Sequence, residues 1–135
     1  MYLLDTNICI YAMNNKYPSV SEKLFSISAK DIYISTVVIS ELQYGAMKSK
    51  WGAKNLYKMN EFISSFNIIP FTREDAEICG KVRAELELQG LPIGLYDVMI
   101  ASQGLARNFT VITHNVKEFS RVPSLKIQDW IGDEN

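Results

Sequence analysis

Two polar residues stand after short apolar runs of the kind that form buried strands. Asp5 ends the run Tyr2–Leu4, and Asn115 follows the run 110–113. An aspartate in this position commonly caps the next helix, and an asparagine commonly serves a turn. Both positions are also places where open parallel sheets bind ligands, beyond the carboxyl ends of their strands. The two residues are therefore candidates for a site at that edge.

Two acidic residues fall on the inward faces of predicted helices. Glu41 lies four residues after Val37 and three after Val38, so it shares their apolar face. Asp97 lies in the first turn of an apolar helix that continues through residues 98–101. Rotation of the helix could take Glu41 to solvent, and the helix dipole alone could favour Asp97. Otherwise such carboxylates need a partner or a metal ion, because an unpaired buried charge is costly.

Considered together, these residues indicate a cation site. Asp5, Glu41 and Asp97 would repel one another if they converged, and removal from water would strengthen the repulsion. A divalent cation offsets that repulsion, and a ligand set made only of oxygen atoms suits Mg²⁺ or Mn²⁺. Zinc is disfavoured because the chain has two distant cysteines and a single histidine.

The elements that would position these residues alternate along the chain. Predicted strands cover residues 2–4, 32–34, 68–71 and 110–113, with a further edge strand at 125–127. Predicted helices cover residues 8–13, 19–26, 36–47, 54–66, 73–89 and 95–106. Thr6 or Asn7 is expected to cap the first helix, and Ser35 or Thr36 the third. This alternation favours an α/β fold, with a mostly parallel central sheet of about five strands and helices on both faces.

Length and composition indicate a single folded domain without a large excess of positive charge. The 135 residues suit a single domain, 1–135, and an apolar content of 47% can form a core without disulfides. The net charge of −1 means that any surface for nucleic acid must be local. The chain begins without a signal-like segment and has no apolar run long enough for a membrane. With two free thiols, these features predict a cytoplasmic protein that has no membrane partner.

Lysines are concentrated in one segment of the chain. No acidic residue lies between Leu42 and Asn60, and this segment contains Lys48, Lys50, Lys54 and Lys58. A second basic group comprises Arg107, Lys117, Arg121 and Lys126. Three aromatic residues, Tyr44, Trp51 and Tyr57, are interleaved with the lysines and could stack on bases, although core or interface packing is the commoner role. RNA contacts are predicted, with ordinary solvated helix faces as the alternative, for Lys48, Lys50, Lys54 and Arg121.

Four segments resemble the motifs of the PIN-domain family, in the order that the family has them. The segment similar to the family's opening motif is Leu4-Asp5-Thr6-Asn7, and the segment similar to its second motif is Ile39-Ser40-Glu41-Leu42-Gln43-Tyr44-Gly45. The segment similar to its third motif is Tyr96-Asp97-Val98-Met99-Ile100-Ala101. The last segment resembles the closing segment of VapC toxins and reads Thr113-His114-Asn115-Val116-Lys117-Glu118-Phe119, with Arg121-Val122-Pro123 and Asp129-Trp130 after it. The resemblance to VapC-type toxins therefore runs from residue 4 to residue 130.

This resemblance implies a fold and an activity. It implies a three-layer, PIN-like α/β fold and an endoribonuclease that depends on Mg²⁺, for which Mn²⁺ can substitute. The implied metal ligands are Asp5, Glu41 and Asp97, with Asn115 as a fourth catalytic residue. A water activated by the metal would hydrolyse RNA and leave a 5′-phosphate and a 3′-hydroxyl.

The resemblance also implies partners. It implies inhibition by a VapB-type antitoxin of a type II toxin–antitoxin system, and assembly as a homodimer. The RNA substrate would be a tRNA, and the pattern is most similar to VapC proteins that cut the anticodon loop of initiator tRNA. The antitoxin would insert an arginine or a lysine among the carboxylates, in competition with the metal.

One position departs from the family pattern. Many PIN domains carry aspartate where this chain has Asn115, and this leaves a second metal ion in doubt because an amide adds no negative charge. Glu118 could supply the missing carboxylate, or it could be a solvated turn residue. Asn7 and Thr113 are further candidates, for indirect roles at the site or for a second metal ion. His114 is assigned no role.

The sequence is also compatible with two other functions. One is a metal-dependent phosphatase or other phosphoryl-transfer enzyme, although those that form an aspartyl-phosphate usually carry D-x-D where this chain has Asp5-Thr6-Asn7. The other is a non-catalytic RNA-binding module of the PIN type, against which the complete acidic set argues. Turnover of a phosphate monoester without RNA cleavage would favour the first. A binding module should keep its RNA affinity when Asp5 is replaced by alanine.

Overall fold

A computed structural model describes residues 1–132 and shows an α/β fold built on five strands. The strands are β1 (Tyr2–Leu4), β2 (Ile32–Ser35), β3 (Asn67–Ile69), β4 (Thr110–Ile112) and β5 (Lys126–Gln128). Their order is β3-β2-β1-β4-β5, and each neighbouring pair is parallel. The predicted sheet is confirmed, and it is parallel throughout rather than mostly. Residues 133–135, the end of the predicted domain, lie outside the described residues.

Seven α-helices connect the strands within residues 1–132. They are α1 (Thr6–Met13), α2 (Pro18–Ser26), α3 (Thr36–Lys48), α4 (Gly52–Ile63), α5 (Arg73–Leu88), α6 (Leu95–Arg107) and α7 (Val116–Phe119). The six predicted helices are confirmed, and their ends differ from the predicted ends by at most three residues, at the end of α4. Neither α7 nor the 3₁₀ turn Ala29–Asp31 was predicted, because such short helices show no repeat of apolar residues.

Helices cover both faces of the sheet. Successive side chains of a strand point to opposite faces. Leu3 and Leu4 of β1 are both fully buried, and so are Val111 and Ile112 of β4. The helices also pack on one another, α3 on α4 and α5 on α6. The predicted three-layer arrangement is therefore confirmed. Within the described residues, no helix combines the length and apolar character needed to cross a membrane.

The strand order reverses beside β1. Strands β2 and β3 lie on one side of β1, and β4 and β5 lie on the other. The backbone N–H of Asp5 donates to the carbonyl of Ile112 at 3.0 Å, so the ends of β1 and β4 stay paired. The crevice beyond these two ends is a switch point, the place where sheets of this type bind ligands.

Side-chain caps fix where α1 and α3 begin. Ser35, one of the two predicted candidates, caps α3. The cap of α1 is neither Thr6 nor Asn7 but Asp5, which has the capping role that is common for an aspartate in this position. Its carboxylate accepts a hydrogen bond from the backbone N–H of Ile8 at 2.9 Å. Strand β1 passes directly into the helix without a linking turn, so the cap falls on the first residue after the strand.

Candidate active site

Asp5 lies at the switch point and is only 5% exposed. Its carboxylate accepts hydrogen bonds from the N–H of Ile8 and from the hydroxyl of Thr113. The pKa of Asp5 is raised to about 6, mainly by burial and in smaller part by the negative charges of Asp97 and Glu41. The two hydrogen bonds act in the opposite direction. The carboxylate thus combines the cost of burial with repulsion from two neighbouring acids.

Glu41 reaches the same region from α3. The side chain is half-buried and follows the fully or nearly buried Val37 and Val38, so the helix does not turn it out to solvent. The hydroxyl of Thr6 donates to Glu41 Oε1 at 2.6 Å. The sequence indicates Thr6 only as a candidate helix cap. Its contact joins residues 35 positions apart, and no local pattern predicts such a pair.

A hydrogen-bonded group lies beyond the carboxyl end of β4 and at the start of α6. It comprises Asp97, Asn115 and Glu118. The side-chain Nδ2 of Asn115 donates to Asp97 Oδ2 at 3.2 Å and also to Glu118 Oε2. The backbone N–H of Asn115 donates to Thr113 Oγ1 at 2.9 Å. Burial raises the pKa of Asp97, as do the charges of Glu118 and Glu41, while the Asn115 amide lowers it. The amide therefore lies between two carboxylates and reduces their repulsion.

The fold thus brings together residues from four distant parts of the chain. Asp5, Glu41 and Asp97 lie close enough for their negative charges to interact, and Asn115 is hydrogen-bonded to Asp97. Two of the further candidates join them, since Thr113 contacts Asp5 and Glu118 contacts Asn115. The third does not, because Asn7 is exposed on the first turn of α1 and forms no hydrogen bond to this group in the described part of the chain.

The donor atoms of this group have the chemistry that a hard divalent cation requires. They are carboxylate oxygens in a partly buried, mutually repulsive setting, and Mg²⁺ and Mn²⁺ favour such ligands. Within residues 1–132, however, no three acidic, histidine or cysteine side chains are arranged as a metal site. Hydrogen-bond donors from Thr6 and Asn115 lie against the carboxylates instead. The ligand atoms are therefore of the type that Mg²⁺ and Mn²⁺ prefer. The hydrogen bonds partly offset the repulsion among the carboxylates, and a bound cation would offset more of it.

The lysines predicted to contact RNA lie on the surface where α3 meets α4. Lys48, Lys50 and Lys54 are all exposed. The Nζ of Lys48 lies 5.6 Å from the centre of the Tyr44 ring, and that of Lys50 lies 5.4 Å from the Trp51 ring. Both rings are more than 60% exposed, at 64% and 62%. Core packing, one of the two alternative roles for these aromatic residues, is therefore wrong.

The second basic group is divided by the fold. Arg121 donates to the carbonyl of Pro92 at 2.7 Å, in the loop before α6. Arg107 instead forms two hydrogen bonds with the fully buried Asp75, of 2.7 and 3.1 Å. Arg107 therefore belongs to an internal ion pair and is not one of the surface cations that could contact RNA.

The chain matches one family over most of its length. The sequence model for the PIN domain matches residues 2–125. The chain belongs to the PIN domain family. This PIN domain is 44% identical over 132 residues to "Ribonuclease VapC2" of Rickettsia felis, a match that covers 96% of this chain and 98% of the relative. It is 40% identical over 129 residues to the "tRNA(fMet)-specific endonuclease VapC" of Shigella flexneri, covering 96% and 97%.

Solved structures share the fold of this PIN domain. One is the VapBC2 complex of Rickettsia felis bound to a DNA fragment from its promoter, with a TM-score of 0.90 and 42% identity over 96% of this chain and 98% of that chain. Another is the DNA-bound VapBC complex of Salmonella typhimurium, with a TM-score of 0.90 and 37% identity over 96% and 97%. The predicted family and fold are confirmed along nearly the whole chain.

Proposed function

We propose that this PIN domain is a metal-dependent endoribonuclease and the toxin component of a type II toxin–antitoxin system. The observation that carries the proposal is that the negative charges of Asp5, Glu41 and Asp97 interact with one another at the switch point beside β1. Ribonucleases of the PIN domain family generally depend on a metal ion, and the curated relatives described above are named as nucleases. Within residues 1–132, no feature of the site favours a phosphatase or a non-catalytic binding module over this function.

The three carboxylates would hold Mg²⁺, with Mn²⁺ as a substitute. When bound, the ion supplies a more acidic water and offsets the negative charge that develops as a phosphodiester bond is hydrolysed. The residues of the chain keep the ligands in place: Thr113 holds Asp5, and Thr6 holds Glu41. Water would attack the phosphorus and the bond from phosphorus to the 3′-oxygen would break, so the products would be a 5′-phosphate and a 3′-hydroxyl. No 2′,3′-cyclic phosphate forms, because the ribose 2′-hydroxyl is not the nucleophile.

Asn115 has a positioning role in this proposal, since its amide fixes Asp97 relative to Glu118. Because an amide carries no charge, the site has one fewer negative charge than a PIN domain with aspartate in this position. Glu118 adds a fourth carboxylate beside Asp97 and is the candidate ligand for a second metal ion.

The proposed substrate is a tRNA, cut in the anticodon loop of initiator tRNA. The name of the Shigella flexneri relative, a tRNA(fMet)-specific endonuclease, supports this choice at 40% identity over nearly the whole chain. The exposed Lys48, Lys50 and Lys54, together with Arg121 beside the loop before α6, would contact phosphates of this RNA. The proposed place of action is the cytoplasm, where tRNA is found.

The proposed protein partners are a VapB-type antitoxin and a second copy of the chain. The solved relatives are toxin–antitoxin complexes, which supports the first. An antitoxin arginine or lysine would pair with the carboxylates in place of the metal. Support for a homodimer comes from apolar side chains left exposed at the end of α5 and the start of α6, namely Leu88, Leu91, Leu95 and Tyr96. Sedimentation velocity at several protein concentrations would measure the dimer directly.

RNA ends mapped after brief induction in cells test the proposed activity. The wild-type chain should produce new ends in one or a few tRNAs, with a 5′-phosphate on the downstream fragment. Asp97→Ala should produce none, because it removes a ligand, whereas the exposed Glu61→Ala on α4 should match the wild type. A 2′,3′-cyclic phosphate on the upstream fragment would exclude hydrolysis by water. New ends confined to mRNA would exclude the tRNA substrate.

A further inference from the structure

We propose that the cleft between α1, α3 and α4 binds one unpaired nucleobase of the RNA, next to the phosphodiester bond that is cut. This inference rests on the proposed function, and it names a part of the substrate site that the catalytic residues do not include. The cleft has a volume of about 260 Å³. That is just below the roughly 300–1,000 Å³ of pockets that hold drug-sized molecules, and it suits a group with one or two rings.

The cleft opens directly beside the catalytic carboxylates. Glu41 is one of its lining residues, so the cleft and the candidate active site share a side chain. An RNA strand with a phosphate at Asp5 and Glu41 must place its neighbouring nucleotides within a few ångströms of that side chain. A base that is not paired in a loop can turn away from the strand and enter such a cleft.

The walls of the cleft suit the flat apolar faces of a base. Its apolar lining residues come from all three helices: Ile10 and Met13 from α1, Leu42 and Ala46 from α3, and Met59 from α4. Methionine side chains make favourable contacts with aromatic rings through their sulfur atoms. Gly45 on α3 leaves the entrance open, because a Cβ built there meets no atom within 4 Å.

The polar groups of the cleft suit the edge of a base. Asn55 donates through Nδ2 to Ser49 Oγ at 2.8 Å, which leaves its carbonyl oxygen as an acceptor. Lys58 donates to Asn14 Oδ1 at 2.9 Å, which leaves the Asn14 amide nitrogen as a donor. One acceptor and one donor held in place by other side chains are the pattern that reads a base edge.

Charge favours RNA over a protein segment as the occupant. Between Leu42 and Asn60 the chain carries four lysines and no acidic residue. Lys58 lies in the cleft itself, and Lys54 lies one turn earlier on α4. A positive rim beside the carboxylates attracts the phosphates on either side of the inserted base, while the base itself is uncharged.

The test fills the cleft and measures whether the affinity of the protein for RNA still depends on one base. Gly45→Leu adds a side chain at the entrance, and Gly80→Leu makes the same change at an exposed position of α5 where a Cβ also meets no atom within 4 Å. Both changes place a good helix former in a helix interior, so both variants should fold. The probes are the anticodon stem-loop of initiator tRNA and versions in which each loop nucleotide in turn lacks its base. Dissociation constants are measured by fluorescence anisotropy without divalent ions, so that no cleavage occurs.

For the wild type and for Gly80→Leu, removal of one particular base should weaken binding about tenfold. Gly45→Leu should bind the intact and that abasic RNA equally, and Asn55→Ala should show an intermediate ratio. The inference is overturned if Gly45→Leu keeps the wild-type ratio, or if no single base matters to the wild type. If Gly45→Leu keeps the ratio and also loses affinity for the antitoxin, the cleft binds the antitoxin and not a base, and the inference is again overturned. Cleavage of the intact stem-loop by the wild type with Mg²⁺ is scored separately, so failure of the nuclease proposal and failure of the base site give different results.

Discussion

At the scale of single residues, the pKa of Asp5 shows the conflict at the centre of the site. The folded-state pKa of about 6 lies above the value near 3.8 that applies when the chain is unfolded. Between about pH 4 and pH 6 the folded protein therefore holds a proton that the unfolded chain has already lost. The free energy of unfolding of the metal-free protein should fall by about 3 kcal/mol as the pH rises through this window. Asp97 contributes in the same direction, because its pKa is also raised.

Asp5→Asn should remove the contribution of Asp5 to this pH dependence. Asparagine can still cap α1, so we expect the metal-free variant to be more stable than the wild type above pH 6 and about equal to it near pH 4. Urea unfolding at the two pH values, in the presence of a chelator, measures the difference. Millimolar Mg²⁺ should then stabilise the wild type and leave the variant nearly unchanged. Parallel pH profiles for the two proteins would contradict the assigned cause.

Thr6 is a positioning residue in the proposed reaction, because its hydroxyl holds Glu41 Oε1 at 2.6 Å. Thr6→Val keeps the shape of the side chain and removes the donor. We expect kcat to fall between about ten- and a hundredfold, because a displaced ligand costs that much, while KM for RNA changes little. Thr6→Ser restores the hydroxyl and should restore most of the rate. An equal loss in both variants would indicate that Thr6 contributes packing and not the hydrogen bond.

At the scale of elements, the ion pair of Asp75 and Arg107 joins the start of α5 to the end of α6, the helix that carries Asp97. Asp75 is fully buried and also forms a capping box with Thr72. Hydrogen bonds from Arg107 and Thr72 hold the pKa of Asp75 below its usual value, although burial alone would raise it. A carboxylate with these partners is a structural group and not part of the candidate site.

Asp75→Ala should lower the free energy of unfolding by about 3–5 kcal/mol, because it leaves a partly buried guanidinium without its partner. Glu74→Ala changes the exposed neighbour and should have an effect within about 0.5 kcal/mol. Chemical denaturation at neutral pH gives both numbers. Since the folded-state pKa is lowered, the difference between wild type and Asp75→Ala should shrink as the pH falls through that pKa. A difference that persists in strong acid would assign the effect to packing.

At the scale of the whole molecule, the net charge is only −1, but positive and negative groups are concentrated in different places. Acidic groups interact at the switch point, whereas exposed lysines are concentrated where α3 joins α4. RNA affinity should therefore fall steeply with salt. Each phosphate that a lysine neutralises should add about 0.7 to the slope of log K against log salt for single-stranded RNA.

The double variant Lys48→Gln/Lys50→Gln should weaken RNA binding and reduce this slope by about 1.4, since two phosphates are no longer neutralised. Lys23→Gln, an exposed lysine on α2, serves as the control and should leave the slope unchanged. Anisotropy titrations at several salt concentrations measure it. A double variant with the wild-type slope would place the RNA on another surface.

The sequence by itself determined the architecture and the edge of the sheet at which the candidate site lies. Apolar runs and helical repeats are local patterns, and each predicts which face of its own element is buried. They predicted the five strands, six of the seven α-helices of residues 1–132 and the inward direction of Glu41, and the family motifs pointed to the same acids. Asp5 followed from its place after β1, where parallel strands present ligands.

Only the tertiary structure decided which of these residues touch. The contact of Thr6 with Glu41 spans 35 positions and that of Arg107 with Asp75 spans 32. The amide of Asn115 between two acids and the cleft beside Glu41 likewise depend on separate elements. A local repeat reports how each element faces the core, but not which elements become neighbours or at what distance. That depends on the packing of all the helices against one sheet, and so do the pKa values and contacts that make acidic residues into a site.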